Sequence, residues 1–255
     1  MEIEIINTKI AKRFVAKYHY AVVCPPISKI SYGLFNNSQL VGVIIFGFGT
    51  RPQHTIKKLF PSLSTKDYLE INRLCVLDEM PRNTESQFIS LAINQIRKSF
   101  LNIKLIFSWA DGLRGKPGYI YQASNFLYGG FIWSQFYTTK SGEVIHPRLM
   151  ITRFGRRDKK IQRELGLTKI YGYQFRYIKF LCSHKEQKRL LKESPFNWEQ
   201  KYPKDKDLKF EKSAGEGSRE SCQLTKLKGS GQFRNPAPDF FTITLKEKND
   251  ELNKN

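Results

Sequence analysis

Apolar residues recur at helical spacing near the start of the chain. Ile10, Phe14 and Tyr18 share one face, while Lys12, Arg13 and Lys17 fill the others, the pattern of a short amphipathic helix. It ends at His19-Tyr20, and the Pro25-Pro26 pair makes the stretch after it a loop. Residues 31–35 and 40–48 read as two strands around Asn36-Asn37-Ser38-Gln39, because Asn tolerates the left-handed backbone that tight hairpins need. Residues 69–76 read as another strand, with polar positions among its apolar ones. The next helix buries a stripe of Phe88, Ile89, Ala92, Ile93, Ile96 and Phe100. Thr84 and Gln87 have capping-box spacing, which predicts that it starts at Thr84. Residues 103–109 are a short apolar run of the buried, parallel kind. Residues 69–109 thus predict strand, helix and parallel strand.

The pattern is weaker beyond that unit. Gly115-Lys116-Pro117-Gly118 reads as a turn, and residues 119–128 as a helix stopped by Gly129-Gly130. Residues 131–133, 149–152 and 173–181 read as strands, and 185–192 as a basic helix. After Lys204 no period survives, which predicts a mostly flexible tail over 205–255, with 239–245 as one candidate strand. The expected class is α/β, a mixed central sheet flanked by helices. Residues 1–154 would form the catalytic core, and 155–204 a basic strand–helix extension completing the domain.

Charge narrows the choice of partner. The chain has 43 Lys and Arg against 23 Asp and Glu, a formal charge of +20. Such an excess implies a polyanion, nucleic acid by default. Residues 155–204 alone hold 14 basic against 5 acidic residues. Arg156, Arg157, Lys159, Lys160, Arg163, Arg176, Lys179, Lys188 and Arg189 are therefore the candidates for a nucleic-acid backbone. Four cysteines without a CxxC pair give a zinc ribbon no support and fit a reducing cytoplasm. The start, MEIEIINTKI, does not read as a signal peptide, and no apolar run is long enough for a membrane span.

Three segments carry candidate chemistry. A capped helix N-terminus attracts anions, so Arg82, Asn83, Thr84 and Ser86 could hold a phosphate or pyrophosphate; an ordinary capped helix would look the same. Asp111 closes a buried strand, where ligands of open α/β sheets gather. It could be a general base, a metal ligand or half of an Asp-Gly turn. Tyr121, Asn125 and Tyr128 would share one face of the 119–128 helix, suited either to stacking on a ring or to core packing.

These segments, taken in order, resemble the Mom family of phage DNA modification proteins. The resemblance lies in Asn72-Arg73-Leu74-Cys75-Val76, Pro81-Arg82-Asn83-Thr84-Glu85-Ser86, Phe107-Ser108-Trp109-Ala110-Asp111-Gly112 and Ile120-Tyr121-Gln122-Ala123-Ser124-Asn125-Phe126, with His19-Tyr20 near the start. It covers roughly residues 9–200. It implies a GNAT acyltransferase-like superfold and conversion of adenine in DNA to a carbamoylmethyl-type adenine, which shields phage DNA from restriction. It implies catalytic roles for His19, Tyr20, Arg73 and Asp111, and cofactor contacts from Arg82, Asn83, Thr84, Ser86, Tyr121, Ser124 and Asn125. The family's acyltransferase relatives have a Gly-rich loop where this chain has Arg-Asn-Thr-Glu-Ser, so the donor stays open. Acyl-CoA or another activated acyl or aminoacyl donor are the candidates, and a metal is undecided. The expected partner is double-stranded DNA, with RNA carrying an activated donor as a further candidate. An acyltransferase acting on RNA, protein or a small amine, and a non-catalytic DNA-binding protein, are the rival functions.

Overall fold

A computed structural model describes residues 1–21, 24–214 and 218–222. In chain order its elements are β1 (Glu2–Ile5), α1 (Thr8–Tyr18), β2 (Ile27–Asn36), β3 (Gln39–Phe48), α2 (Pro52–Leu59), β4 (Tyr68–Val76), α3 (Thr84–Ser99), β5 (Leu105–Asp111), α4 (Tyr119–Ala123), β6 (Leu127–Thr138), β7 (Val144–Ile145), α5 (Pro147–Phe154), α6 (Lys159–Glu164), β8 (Thr168–Phe180), α7 (His184–Glu193), β9 (Phe210–Ser213) and β10 (Arg219–Ser221). The strands form one mixed sheet in the order β1-β2-β3-β4-β5-β8-β6-β7. A hairpin of β9 and β10 joins β8 through β9. β4 and β5 are parallel, and every other pairing among the described strands is antiparallel.

Both faces of the sheet are covered, which explains the near-continuous burial of β3. α1 lays Ile10, Phe14 and Val15 on Val43 and Ile45. Ile44 and Phe46 point the other way, into the main core with Phe88, Ile89 and Ile93 of α3. The β2–β3 hairpin turns at Asn37 and Ser38, both with positive φ, as the Asn-rich turn predicts.

Several expectations are corrected. Thr84 is not the N-cap: Asn83 is, in a left-handed conformation without a side-chain cap, and the Thr84 hydroxyl donates to Pro81 O at 2.7 Å. The 119–128 helix stops at Ala123, because Asn125 turns left-handed at φ 56° and Leu127 begins β6. Tyr128 is therefore a strand residue, paired with Tyr177 and apart from the Tyr121 helix. Residues 149–152 belong to α5 and not to a strand. Within the supposed tail, Phe210–Ser213 and Arg219–Ser221 form the paired strands β9 and β10; the candidate strand 239–245 lies outside the described residues. The 155–204 segment supplies β8, a strand in the middle of the sheet between β5 and β6.

Arg176 shows why β8 is needed there. Gly129 and Gly130 bulge out of β6 opposite it, between the pairs Tyr128–Tyr177 and Phe131–Phe175. The buried Arg176 guanidinium fills the bulge, donating to Gly129 O and Phe131 O and lying 4.3 Å from the Phe196 ring. It is a structural cation without access to a phosphate. On the other side of the bulge Gly129 packs under Trp198, whose indole N–H is fixed by Ser194 Oγ at 2.7 Å. A Cβ at position 129 would overlap that ring. Gly129→Ala should therefore cost about 1–3 kcal/mol, the scale of overpacking. Urea unfolding would measure it, and an unchanged midpoint would mean that Trp198 is free to move.

Candidate active site

β4 and β5 pair at only three positions: Tyr68 with Leu105, Leu69 with Ile106, and Glu70 with Phe107. β4 then continues to Val76 and β5 to Asp111, so the strands splay apart. A bulge sharpens the divergence. Ile45 faces Arg73 and Phe46 faces Ile71, leaving Asn72 as the extra residue. Asn72 is buried and spends its amide on Ile27 O, at 3.1 Å. Below it the buried Glu70 carboxylate accepts from the Tyr68 hydroxyl at 3.0 Å. The polar positions of β4 thus hold the strand in place.

A cavity of about 410 Å³ opens at this splay. Residues 71–76 line one wall and Trp109, Ala110 and Asp111 the other. His19 and Tyr20 come from the end of α1, and Tyr121 from α4. Five sequence candidates from four elements therefore meet in one place.

The loop after α1 is set by backbone bonds. Arg73 Nε donates to Ala21 O at 3.2 Å, and Ala21 N–H donates to His19 Nδ1 at 2.9 Å. Ala21 O also lies 3.2 Å from this Nδ1, but a backbone N–H can only donate and its contact is the shorter, so Nδ1 accepts and the neutral ring's proton is assigned to Nε2. Burial, with the Arg73 charge next, lowers the His19 pKa from 6.5 to about 4. His19 is thus a neutral Nε2–H donor near pH 7 and a poor base. Its ring stacks on Tyr20 at 4.3 Å. Above Tyr20 lie the Lys116 ammonium at 4.7 Å and the Arg114 guanidinium at 5.7 Å.

Burial raises the Asp111 carboxyl above its usual range, against the pull of Arg114, Lys116 and the backbone N–H groups of Leu113 and Arg114. Burial, and then the Asp111 charge, also push the Tyr20 phenol well up, so it stays protonated. Burial likewise raises Tyr121. Asp111 with its raised proton affinity, the neutral phenols of Tyr20 and Tyr121 and the neutral imidazole of His19 line the cavity, together with Tyr18, Tyr119, Asp78 and Glu85. Among the described residues, no cluster of three or more His, Cys, Asp or Glu is positioned for a metal.

The other sequence candidates lie elsewhere. Arg82, Asn83, Thr84 and Ser86 are absent from the cavity lining, and Glu85 is the residue of that turn which lines it. The Ser86 hydroxyl is spent on Asn83 O at 2.9 Å. Ser124 and Asn125 end α4 outside the cavity, where their carbonyls accept from Lys179 Nζ at 3.1 Å. Arg114 and Lys116 were missed as site residues. Their signal was the Gly115–Gly118 turn, whose two glycines take positive φ and carry these cations back over Tyr20.

The basic candidates do not form one surface. α6 precedes β8 and α7 follows it, so about 40 Å of strand separates them at roughly 3.3 Å per residue. Asp111 pairs with Gln174, the middle of β8, and Leu105 with Phe180, so Asp111 lies six residues, roughly 20 Å, from either end of that strand. Arg156, Arg157, Lys159, Lys160 and Arg163 are exposed at the α6 end, with Arg156 paired to Glu164 at 2.8 Å. At the far end Lys188 is exposed, and Arg189 is held by Glu186 and Glu193.

The His19 assignment has a direct test. Nitrogen NMR of the ring should show the Nε2–H tautomer throughout pH 5–8 and a titration midpoint near 4. A midpoint near 6.5 would mean that the ring is solvated and the Ala21 bond absent. Because the folded pKa is depressed, the unfolded chain binds the proton first. Stability should therefore fall as pH drops from about 6.5 towards 4, and His19→Asn should flatten that slope.

Comparison with known proteins supplies the lineage. A family model for the Mom protein family matches residues 1–204. "Methylcarbamoylase mom" of Escherichia phage Mu is 32% identical over 193 residues, 74% of this chain and 79% of that protein. Among solved structures, an IAA acetyltransferase from Bacillus cereus ATCC 14579 aligns with a TM-score of 0.38 and 12% identity, covering 70% of this chain and 98% of that one. An acetyltransferase from Bacillus subtilis in complex with CoA aligns with a TM-score of 0.35 and 16% identity, covering 71% and 99%. The chain belongs to the Mom protein family.

Proposed function

We propose that this chain is a transferase that modifies adenine in phage DNA at its exocyclic amine, installing a carbamoylmethyl-type group that blocks restriction. Family membership supports the reading. The observation that carries it is the convergence of His19, Tyr20, Arg73, Asp111 and Tyr121 on the cavity at the β4–β5 splay. A decayed enzyme fold has no need of a buried acid, a tautomer-fixed imidazole and stacked rings in one cavity.

An adenine inside a duplex hides its amine in the base pair, so the base must leave the stack. The aromatic walls from Tyr20, Trp109 and Tyr121 suit a flipped purine. The amine lone pair forms a bond to the donor's activated carbonyl carbon, and the leaving group departs with the bonding pair. With a glycyl donor the resulting amide is an isomer of the carbamoylmethyl product, which a rearrangement moving the adenine nitrogen from the carbonyl to the methylene carbon would complete. Asp111 takes the proton that the amine loses. His19 offers its Nε2–H to an oxygen of the donor or to a ring nitrogen of the base. Arg73 holds the loop that carries His19 and Tyr20.

The donor is an activated acyl or aminoacyl compound. For acyl-CoA, the turn before α3 fits a pyrophosphate poorly. Glu85 and Asp78 put carboxylates on that side of the cavity, and the nearby hydroxyls are spent on backbone carbonyls. The cations Arg114 and Lys116 line the same cavity and lie over the Tyr20 ring.

Duplex DNA would dock on the exposed cations at the α6 end and reach along the sheet to the cavity. Reversing the charges of Arg156, Arg157, Lys159 and Lys160 together should weaken binding to all sequences. The salt slope should fall by about 0.9 for each phosphate that is no longer neutralised. An unchanged slope would move the DNA to another face.

Asp111→Asn tests the chemistry. It keeps the shape and removes the base, so it should leave DNA affinity intact and lower modification about 100-fold or more. The measurement is mass spectrometry of nucleosides from DNA of expressing cells. Modified deoxyadenosine at the parent level in the variant would remove Asp111 from proton transfer, and none in the parent would sink the adenine reading.

A further inference from the structure

On one face of the sheet β6 exposes two aromatic rings beside a buried tyrosine of β8. Phe131 and Trp133 are 41% and 40% exposed. They flank Tyr173, with ring centroids 3.8 and 4.7 Å apart. The next residue on that face of β8 is Tyr171. Arg219 of β10 lies 3.9 Å from its ring and 5.8 Å from that of Trp133. Lys169 lies 4.8 Å from the Tyr171 ring. Arg219 also has a 3.5 Å ion pair with Glu211 on β9, which leaves it on the same face.

Aromatic rings and two cations thus alternate over a solvent-facing patch. Large apolar side chains seldom cluster in the open on a strand face without a partner. Interleaved cations make a plain apolar partner a poor match, since it would strip their water without pairing them. A strand with unstacked bases satisfies both features: its bases present π-faces to the rings and its phosphates meet the cations. A duplex does not, because its base faces are already stacked and only edges and phosphates are offered.

The patch is also close to the cavity. Asp111, Gln174 and Ile132 lie in register across β5, β8 and β6. Two strand spacings of about 4.8 Å put Ile132 roughly 10 Å from Asp111 along the backbone. Phe131 and Trp133 are its neighbours and point to the other face of the sheet from Ile132 and Asp111. The rings are therefore near the cavity along the backbone but serve a strand on the face away from the Asp111 side chain.

We propose that Phe131, Trp133 and Tyr171, backed by the buried Tyr173 and joined by Arg219 and Lys169, form a stacking platform for unpaired DNA on the sheet face away from the Asp111 side chain. The platform would hold the locally opened strand while the amine reacts. The choice of DNA as the polymer rests on the function proposed above, whereas the preference for unpaired bases rests on the rings and cations alone.

The test uses the full-length protein and labelled oligodeoxythymidine of about 12 nucleotides, a length within the usual single-strand site. Phe131→Ala with Trp133→Ala should weaken its binding about tenfold or more, as read by anisotropy, and leave a blunt duplex bound as before. Trp133→Phe keeps a π-face and should restore most of the affinity of a Trp133→Ala variant. Wild-type emission minus that of Trp133→Phe isolates Trp133, and it should be quenched as the oligonucleotide is added, whether or not the double variant folds. Unchanged affinity, an unquenched Trp133, or an equal loss for the duplex would overturn the platform. Tighter binding of oligouridine than of oligodeoxythymidine, abolished in the same variants, would overturn the assignment to DNA. Modified deoxyadenosine is scored separately. Platform loss that abolishes single-strand binding in a protein that never modifies DNA would refute the adenine reading alone. Full modification with normal single-strand binding in the double variant would refute the platform alone.

Discussion

Parallel strands normally gain a hydrogen bond with each residue that stays in register, so parting after three pairs has a cost. β4 and β5 part there, and the rest of the site depends on that divergence. Two things stabilise it. The Asn72 bulge turns β4, with its side chain bonded to Ile27 O and not to solvent. On the other side β8 runs alongside β5 from Leu105 to Asp111, so β5 keeps one full ladder while it loses the other. The strand ends are therefore rigid, and the gap between them is free of main-chain partners. That is where a substrate can lie between two walls without displacing backbone hydrogen bonds.

The site then inherits its electrostatics from the gap. A carboxylate at the end of a central strand is desolvated by its position, which raises its affinity for a proton. The same desolvation keeps His19 neutral. The cations nearby neither neutralise Asp111 by a direct ion pair nor leave it isolated. Lys116 and Arg114 spend their charge on the face of Tyr20, about 5 Å from the ring centre. Their charges still pull the Asp111 pKa down against the burial that raises it, but without the tight salt bridge that would hold it low.

The sequence was most legible where one physical rule dominated. The β4–α3–β5 unit followed from an apolar stripe, and the hairpin at Asn37-Ser38 from turn chemistry. Asp111 at a strand end and His19 after a helix were visible as positions, but their convergence was not, because it depends on tertiary pairing. Local rules failed where tertiary partners overrode them. Thr84 had the spacing of a capping box, yet its hydroxyl found Pro81 O first. Tyr128 had helical spacing from Tyr121, yet the Gly129-Gly130 bulge and Arg176 made it a strand residue. Arg176 itself was counted as a phosphate contact from its charge alone. No one-dimensional signal separates a buried arginine that caps carbonyls from an exposed one that awaits an anion.

The same limit applies to net charge, and the topology shows how it should be used. Fourteen basic residues within residues 155–204 suggest one broad patch. β8 divides them, with α6 before one of its ends and α7 after the other. An excess of charge counts for binding only when the charges lie within about a Debye length, roughly 10 Å, of the same phosphates. Five exposed cations at the α6 end meet that condition better than nine spread along the chain. Asp111 is in register with Gln174 in the middle of β8, so roughly 20 Å of strand separates it from the α6 end and as much from the α7 end. Position along β8, and not the charge count, therefore decides which cations could act together with the cavity.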